Sequence, residues 1–203
     1  MKRKWVYDMN KTINYYNENA KTFVEGTVSV DFSDIQTKFI NKLNDNAKIL
    51  DFGCGSGRDT KFFLENGFDV EAIDGSEELC KFASEYTGIT VKHMYFQQLD
   101  EVSKYDAVWA CSSILHLSYD ELIDVMKKIV DSLKPNGLFY TSFKYGDFEG
   151  DRNGRYFINM DETRISSLLE NIEHLQIEEM WITTDVRPNR GEEKWINLFM
   201  RKK

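Results

Sequence analysis

The chain is short of cysteine, of long apolar runs and of positive charge, and each shortage excludes something. Its three cysteines, Cys54, Cys80 and Cys111, have neither paired nor zinc-ligand spacing, so no disulfide framework and no metal site is expected. An odd count of so few thiols fits a reducing compartment, and a cytoplasmic protein is the expectation. No apolar run approaches the roughly 20 residues that cross a bilayer. Met1-Lys2-Arg3-Lys4 is basic but leads into Trp5-Val6-Tyr7-Asp8 rather than an apolar signal core, so no membrane partner is expected. A formal charge of −8 disfavours nucleic acid, which normally needs a basic face. What remains is 203 residues, 30% charged and 14% aromatic, enough for one buried core and neither disordered nor membrane-like in composition. No repeat and no linker-like shift divides them, so a single domain over 1–203 is expected.

One stretch organises the rest. Lys48 to Phe52 reads as a short apolar strand running into Gly53-Cys54-Gly55-Ser56-Gly57, with a helix from about Arg58 to Asn66 behind it. Glycines at alternate positions let a backbone turn sharply and approach a ligand where a Cβ would intrude. The helix N-terminus favours an anionic group, and Asp51 at the strand end could accept from an amine, so the site suits a zwitterion. Arg58 stands where a dinucleotide fingerprint has its third glycine, which disfavours a nicotinamide dehydrogenase. A second strand, Phe68 to Ile73, ends in Asp74-Gly75-Ser76. Asp74 is placed to accept both ribose hydroxyls of a nucleoside. Its alternative is to cap the helix from about Glu77, a role Ser76 could fill equally well.

Asp51-x-Gly-x-Gly-x-Gly57, Asp74 after a strand, Tyr105-Asp106-Ala107-Val108-Trp109 and Leu133-Lys134-Pro135-Asn136-Gly137 occur in this order. In order and spacing the chain resembles the class I S-adenosylmethionine-dependent methyltransferases over about residues 45–145. Beyond that, Phe143-Lys144-Tyr145-Gly146, Arg152 to Phe157 and Asp185-Val186-Arg187-Pro188 are similar to a small bacterial tellurite-resistance-like subgroup. The resemblance implies a Rossmann-like α/β fold, a seven-stranded mostly parallel sheet with an antiparallel last strand and helices on both faces. It also implies N-terminal lid helices over 1–45, a cofactor-binding core over 46–145, and an acceptor loop with C-terminal strands over 146–203.

Taken in order, residues 8–25 have helical spacing (Tyr15, Tyr16, Ala20, Phe23, Val24), and a second helix runs from about Phe32 to Leu43. By the resemblance the first is a Tyr-rich lid over the cofactor, with Tyr15 among the cofactor contacts; ordinary amphipathic packing is the alternative for Tyr15 and Tyr16 alike. Ile89 to Tyr95 reads as a third strand leading to Phe96 and Gln97, where the family meets the adenine. Many members have an acidic residue near this point; here a backbone amide at Phe96 or Gln97 and a Gln side-chain oxygen take its place. Ala107 to Ala110 is an apolar fourth strand, buried on both faces, that delivers Ala110, Cys111 and Ser112 to the crevice formed by the first two strands. His116, just past that edge, is the candidate general base, or else it orients the loop. A helix from Tyr119 to Leu133 stops at Lys134-Pro135-Asn136-Gly137, and Leu138 to Phe143 is a fifth strand. Lys144 to Arg155 then reads as a long polar loop. A helix starts from about Asp161, its N-cap, and Leu175–Thr184 pairs with Lys194–Met200.

The reaction implied is methyl transfer from S-adenosylmethionine, leaving S-adenosylhomocysteine, to a small acceptor that an anionic group would suit. Asp51, Gly53, Cys54, Gly55, Gly57 and Arg58, then Asp74, Gly75 and Ser76, would hold the cofactor with the residues named above. Lys144, Arg152, Arg155, Arg187 and Arg190 would converge on a carboxylate or phosphate of the acceptor. Their alternative is surface charge paired with Asp147, Glu149, Asp151 and Asp185. An RNA or protein methyltransferase, or a non-catalytic S-adenosylmethionine-binding module, would share the cofactor site. Monomer and homodimer are both compatible with the sequence.

Overall fold

The computed structural model describes residues 11–187 and 190–203. The basic leader, positions 8–10 of the expected first helix, and Pro188-Asn189 lie outside the described residues.

The centre is a seven-stranded sheet in the order β3-β2-β1-β4-β5-β9-β8. Its strands are β1 (Lys48–Phe52), β2 (Asp69–Asp74), β3 (Lys92–His93), β4 (Tyr105–Ala110), β5 (Leu133–Lys144), β8 (Leu175–Thr184) and β9 (Lys194–Lys202). The pairs β1–β2, β2–β3, β1–β4 and β4–β5 are parallel, and β9 runs antiparallel between β5 and β8. This is the expected Rossmann-like sheet with its antiparallel last strand.

Period-two alternation divides the strands between two apolar layers. Leu50, Val108 and Phe139 face α5 (Tyr119–Ser132) and α6 (Glu162–Leu169) through Met126, Ile129 and Ile165. Ile49, Trp109 and Tyr140 face α2 (Ser33–Ile40) and α3 (Arg58–Glu65) through Phe39 and Phe63. A smaller cluster joins α4 (Glu77–Thr87) to β2 through Cys80, Ala83 and Ala72. The caps are chemical: the Ser76 hydroxyl accepts from Leu79 N, Asp161 accepts from Arg164 N, and Ser118 and Glu121 form a capping box.

Three expectations are corrected. The third strand is only Lys92–His93, because its ladder with β2 lasts for two residues. The fifth strand begins at Leu133 rather than Leu138: Leu133 already pairs with Tyr105 across an irregularity that absorbs Asn136 at φ 62°. The polar loop Lys144–Arg155 holds a hairpin, β6 (Glu149–Arg152) and β7 (Arg155–Ile158), closed by Asn153-Gly154. Both turn residues have positive φ, 52° and 80°, as a type I′ turn requires.

Candidate active site

Strand order reverses between β1 and β4, and the carboxyl ends of β1, β2 and β4 meet there, where open α/β sheets bind ligands. One cavity of about 910 Å³ lies over these ends. β1 contributes the glycine turn. Gly53 N and Cys54 N both donate to the Ile73 carbonyl at 3.0 Å, which folds the turn over β2. A Cβ at Gly53 (φ 87°) would sit 2.5 Å from Ser113 Cβ and 3.0 Å from the Phe96 ring; one at Gly55 would sit 3.0 Å from the Phe23 ring. Asp74 takes one backbone donor on each oxygen, from Gly55 N (2.9 Å) and Ser76 N (2.8 Å), and lines the cavity with its remaining lone pairs. Gln97 donates to Glu121 across 3.5 Å, and its buried Oε1 has no partner among the described residues.

β4 ends in Cys111 and Ser112. Ser112 has φ 53°, a strained value for a residue with a Cβ, and its N–H donates to Ser142 Oγ at 3.0 Å. Burial pushes the Cys111 thiol up to about 12, so it is no nucleophile at neutral pH.

Residues 11–18 and α1 (Ala20–Glu25) are helical and contribute Thr12, Ile13, Tyr16 and Phe23 to the cavity wall. Ser76 Oγ bonds Asn17 Oδ1 at 2.7 Å, Tyr156 N donates to Thr12 Oγ1 at 3.0 Å, and Lys11 pairs with Asp151 at 3.0 Å. This N-terminal helical segment is therefore tied to α4 and to the hairpin. Helical phase turns Tyr16, not Tyr15, into the cavity wall, along with Thr12 and Phe23. Tyr15 instead faces the Arg155 guanidinium at 4.4 Å.

His116 Nδ1 donates to the Tyr156 carbonyl at 2.6 Å, which leaves Nε2 to accept from the Tyr16 hydroxyl at 2.8 Å. Burial, helped by the charge of Arg155, lowers His116 to about 4, so the ring is neutral. Burial also raises Tyr16, which keeps its proton.

Among the sequence-predicted residues, Gly53, Cys54, Gly55, Arg58, Asp74 and Gly75 line the cavity, as do Phe96, Gln97, Cys111, Ser112 and His116. So do Lys144, Arg152, Arg155, Arg187 and Arg190. Asp51, Gly57, Ser76, Ala110 and Tyr15 do not. Gly57 faces α4, where a Cβ would meet Thr87 at 2.9 Å and Ala83 at 3.1 Å, so it serves helix packing. Ser76 is wholly buried as a cap, and Ala110 is wholly buried in the sheet. Arg58 lines the wall but is held by Asp59, through Nε at 2.7 Å and Nη2 at 3.0 Å, and lies over Phe32 at 4.5 Å.

Two carboxylates under the glycine turn have opposite states. Burial would raise Asp59, but Arg58, Trp109 and Gln36 all donate to it and hold it low. Asp51, 1% exposed, has among the described residues only the Thr60 hydroxyl, at 2.5 Å. Burial and the neighbouring Asp59 push it up to about 8, so it is protonated at neutral pH. The folded state then keeps a proton that the unfolded chain releases near pH ~4, and stability falls as pH climbs from about 4 to about 8. Asp51→Asn is expected to shrink that loss, measured as the urea-unfolding free energy at about pH 5.5 and about pH 8.5. An unchanged slope would show that Asp51 is ionised.

Tyr16, which the sequence offered as a lid residue beside Tyr15, lines the cavity, as do Phe32, Asp59, Ser142 and Asn159, which sequence reasoning missed. The stripe Thr12, Tyr16, Phe23 at i, i+4, i+11 was the available signal for Tyr16. Asp59 carried none, because its role depends on Trp109 and Gln36, both distant in sequence. Among the described residues no cluster of metal-ligating side chains occurs, and no helix is long and apolar enough to cross a membrane.

Comparison with known proteins agrees with this geometry. Residues 49–137 match the methyltransferase-domain family. YqeM of Bacillus subtilis is 30% identical over 141 residues, 64% of this chain and 56% of that protein, so the chain spans little more than half its length. An uncharacterized methyltransferase of Staphylococcus carnosus is 24% identical over 86% of this chain and 84% of its own. In fold, the chain is similar to Burkholderia thailandensis 1,6-didemethyltoxoflavin-N1-methyltransferase, solved with 1,6-didemethyltoxoflavin and S-adenosylhomocysteine. The TM-score is 0.80 at 20% identity, covering 98% of this chain and 89% of that one.

Proposed function

We propose that the chain is a class I S-adenosylmethionine-dependent methyltransferase, taking its methyl group from S-adenosylmethionine and delivering it to a small acceptor held beside Tyr16, His116 and Arg155. The observation that carries this reading is continuity. Gly55 adjoins Phe23, Phe23 packs edge-on to Tyr16, and Tyr16 meets both His116 and Arg155, all around one cavity. Its volume of about 910 Å³ is near the upper end of small-ligand sites, roughly 300–1,000 Å³, which suits two ligands side by side.

The residues present fit the cofactor. Gly53 and Gly55 leave room that a Cβ would fill, Asp74 has lone pairs for two ribose hydroxyls, and unpartnered Gln97 Oε1 suits the adenine amine. Asp51 lies beneath the turn, so a direct contact with the cofactor's amino group is replaced by an indirect one. When bound, S-adenosylmethionine supplies a methyl on a sulfonium that is already an activated leaving group. The protein's part is to position the acceptor in line, exclude water and, for a protonated nucleophile, receive a proton. Tyr16 and His116 suit that proton transfer, because the hydroxyl oxygen can take the acceptor's proton while its own passes to the lone pair of Nε2. The lid brings Tyr16 to this position, and its ties to the hairpin favour a small acceptor over a polymer. The Burkholderia protein likewise binds a small molecule. The looser likeness to a tellurite-resistance-like subgroup rests largely on residues outside 49–137.

Thermal unfolding with S-adenosylmethionine, S-adenosylhomocysteine and NAD tests the cofactor assignment. A ligand at a hundredfold over its Kd adds about 2.7 kcal/mol, a rise of about 5–11 °C for a chain of this size. Both adenosyl compounds are expected to give that rise, NAD none, and Asp74→Ala to abolish it. A rise with NAD alone would overturn the reading.

A further inference from the structure

Besides Gln97 Oε1, assigned above to the cofactor's adenine, two polar atoms of cavity-lining residues are buried without a hydrogen-bond partner among the described residues: Arg155 Nε and Asn159 Oδ1. Native interiors satisfy such groups, so an orphan donor and an orphan acceptor in one binding cavity point to what the cavity binds. The Asn159 amide is oriented by Nδ2, which donates to the Tyr145 carbonyl across 3.5 Å and leaves Oδ1 on the opposite side.

The basic residues around the cavity are not equivalent. Lys144 pairs with Glu193, Arg187 with Asp185, and Arg190 lies 3.8 Å from Glu193. Arg155 has no carboxylate within 4.0 Å among the described residues. It is caged by rings instead, with its guanidinium carbon 4.4 Å from the Tyr15 centroid, 5.7 Å from Tyr16 and 5.0 Å from Phe157. Such a cage fixes the fork without neutralising it. Arg155, Phe157 and Asn159 follow one another at alternate positions along β7 and its continuation, so all three face the cavity. Phe157 separates the two orphan atoms and presents a ring that also meets His116 at 4.8 Å.

We propose that Arg155 and Asn159 are the acceptor's recognition pair, and that the acceptor is a small planar carboxylate with an N–H or O–H at its far end. The carboxylate accepts from Arg155 Nε, the ring or plane lies on Phe157, and the distal N–H or O–H donates to Asn159 Oδ1. Lys144, Arg187 and Arg190 are already paired with Glu193 and Asp185 and so are not free to hold a phosphate dianion beside Arg155, while Arg152 lies over Phe148 at 4.1 Å. This deepens the methyltransferase reading and rests on it.

The test is calorimetric titration of the S-adenosylhomocysteine-loaded protein with 4-aminobenzoate, 4-hydroxybenzoate, benzoate and aniline. The first two are expected to bind about tenfold tighter than benzoate, and aniline weakest, since each loses one charge-assisted or neutral hydrogen bond. Arg155→Met should weaken all three carboxylates by about tenfold or more, as should Arg155→Lys, which keeps the charge but not the Nε donor. Asn159→Leu should erase the advantage over benzoate and leave benzoate itself unchanged. Retained S-adenosylhomocysteine binding certifies that each variant is folded. Aniline binding as well as 4-aminobenzoate, indifference to Arg155→Met, or no carboxylate binding to a loaded protein would overturn the pair. Failure of S-adenosylhomocysteine itself to bind would instead remove the cofactor reading beneath it.

Discussion

Gly53→Ala is expected to lower affinity for S-adenosylhomocysteine by about a hundredfold or more, equivalent to about 2.8 kcal/mol. Two costs coincide at this position. The backbone is at φ 87°, where an L side chain is strained by about 1–2 kcal/mol. The new Cβ would lie 2.5 Å from Ser113 Cβ and 3.0–3.1 Å from the Phe96 ring, closer than carbon atoms pack. Neither neighbour is a flexible tip. Ser113 is fixed by its hydroxyl donating to the Phe52 carbonyl at 2.6 Å, and Phe96 is tilted against Phe52 at 4.6 Å. The overlap is therefore relieved by driving the β1 turn away from the β4 end and from Phe96, which are the walls of the proposed cofactor end of the cavity. Gly67→Ala separates the two costs. Gly67 has nearly the same φ, 84°, but nothing lies within 4 Å of its Cβ position, and it is not in the cavity wall. It should lose a similar increment of stability and bind S-adenosylhomocysteine as the unaltered chain does. Ser113→Gly added to Gly53→Ala should recover part of the affinity by removing the nearest clash. Equal binding by Gly53→Ala and Gly67→Ala would show that the turn does not shape the cofactor end.

The contrast between Gly53 and Gly57 also shows what was legible in the sequence. The strand–turn–helix of β1, the acid closing β2 and the alternation of apolar strands with amphipathic helices are local patterns, and each sits where periodicity and turn chemistry put it. Roles that depend on what lies opposite were not readable. Gly57 repeats the spacing of Gly53 and Gly55 yet faces Thr87 and Ala83 of α4, because successive glycines in a tight turn point in different directions. The five basic residues look alike in sequence, and only the fold shows that Glu193 and Asp185 neutralise some of them while Arg155 sits among rings. The β6–β7 hairpin was readable: Asn153-Gly154 between two four-residue runs is a strong two-residue turn signal, masked by the polar composition of Glu149–Arg152. Whether Tyr15 or Tyr16 enters the wall is a matter of one residue of helical phase, about a quarter turn, that tertiary ties such as Asn17–Ser76 resolve.

The floor of the site yields the second large effect. Asp59 is 7% exposed and accepts from Arg58 Nε and Nη2, Gln36 Nε2 at 2.7 Å and Trp109 Nε1 at 2.8 Å. One carboxylate thus satisfies α2, the head of α3 and the central strand β4 together. Asp59→Ala leaves the Arg58 charge, the indole N–H and the Gln36 amide buried without an acceptor. Breaking a buried pair in this way costs about 3–5 kcal/mol, a fall in Tm of about 6–20 °C at 2–4 °C per kcal/mol. The loss should exceed that of an ordinary core truncation in its pattern as well as its size. Asp59→Asn keeps an oxygen acceptor but not the charge, so it should fall between the unaltered chain and Asp59→Ala. Arg58→Met combined with Asp59→Leu should be more stable than Asp59→Ala alone, because no charge then remains buried. Additive damage in that double variant would show that Asp59 acts through shape rather than through charge. The same comparison bears on Asp51, whose proton is retained partly because Asp59 is ionised beside it. In Asp59→Ala the Asp51 carboxyl loses that repulsion, so its titration should move down toward the ordinary carboxylate range, and the fall of stability between pH about 4 and about 8 should shrink with it.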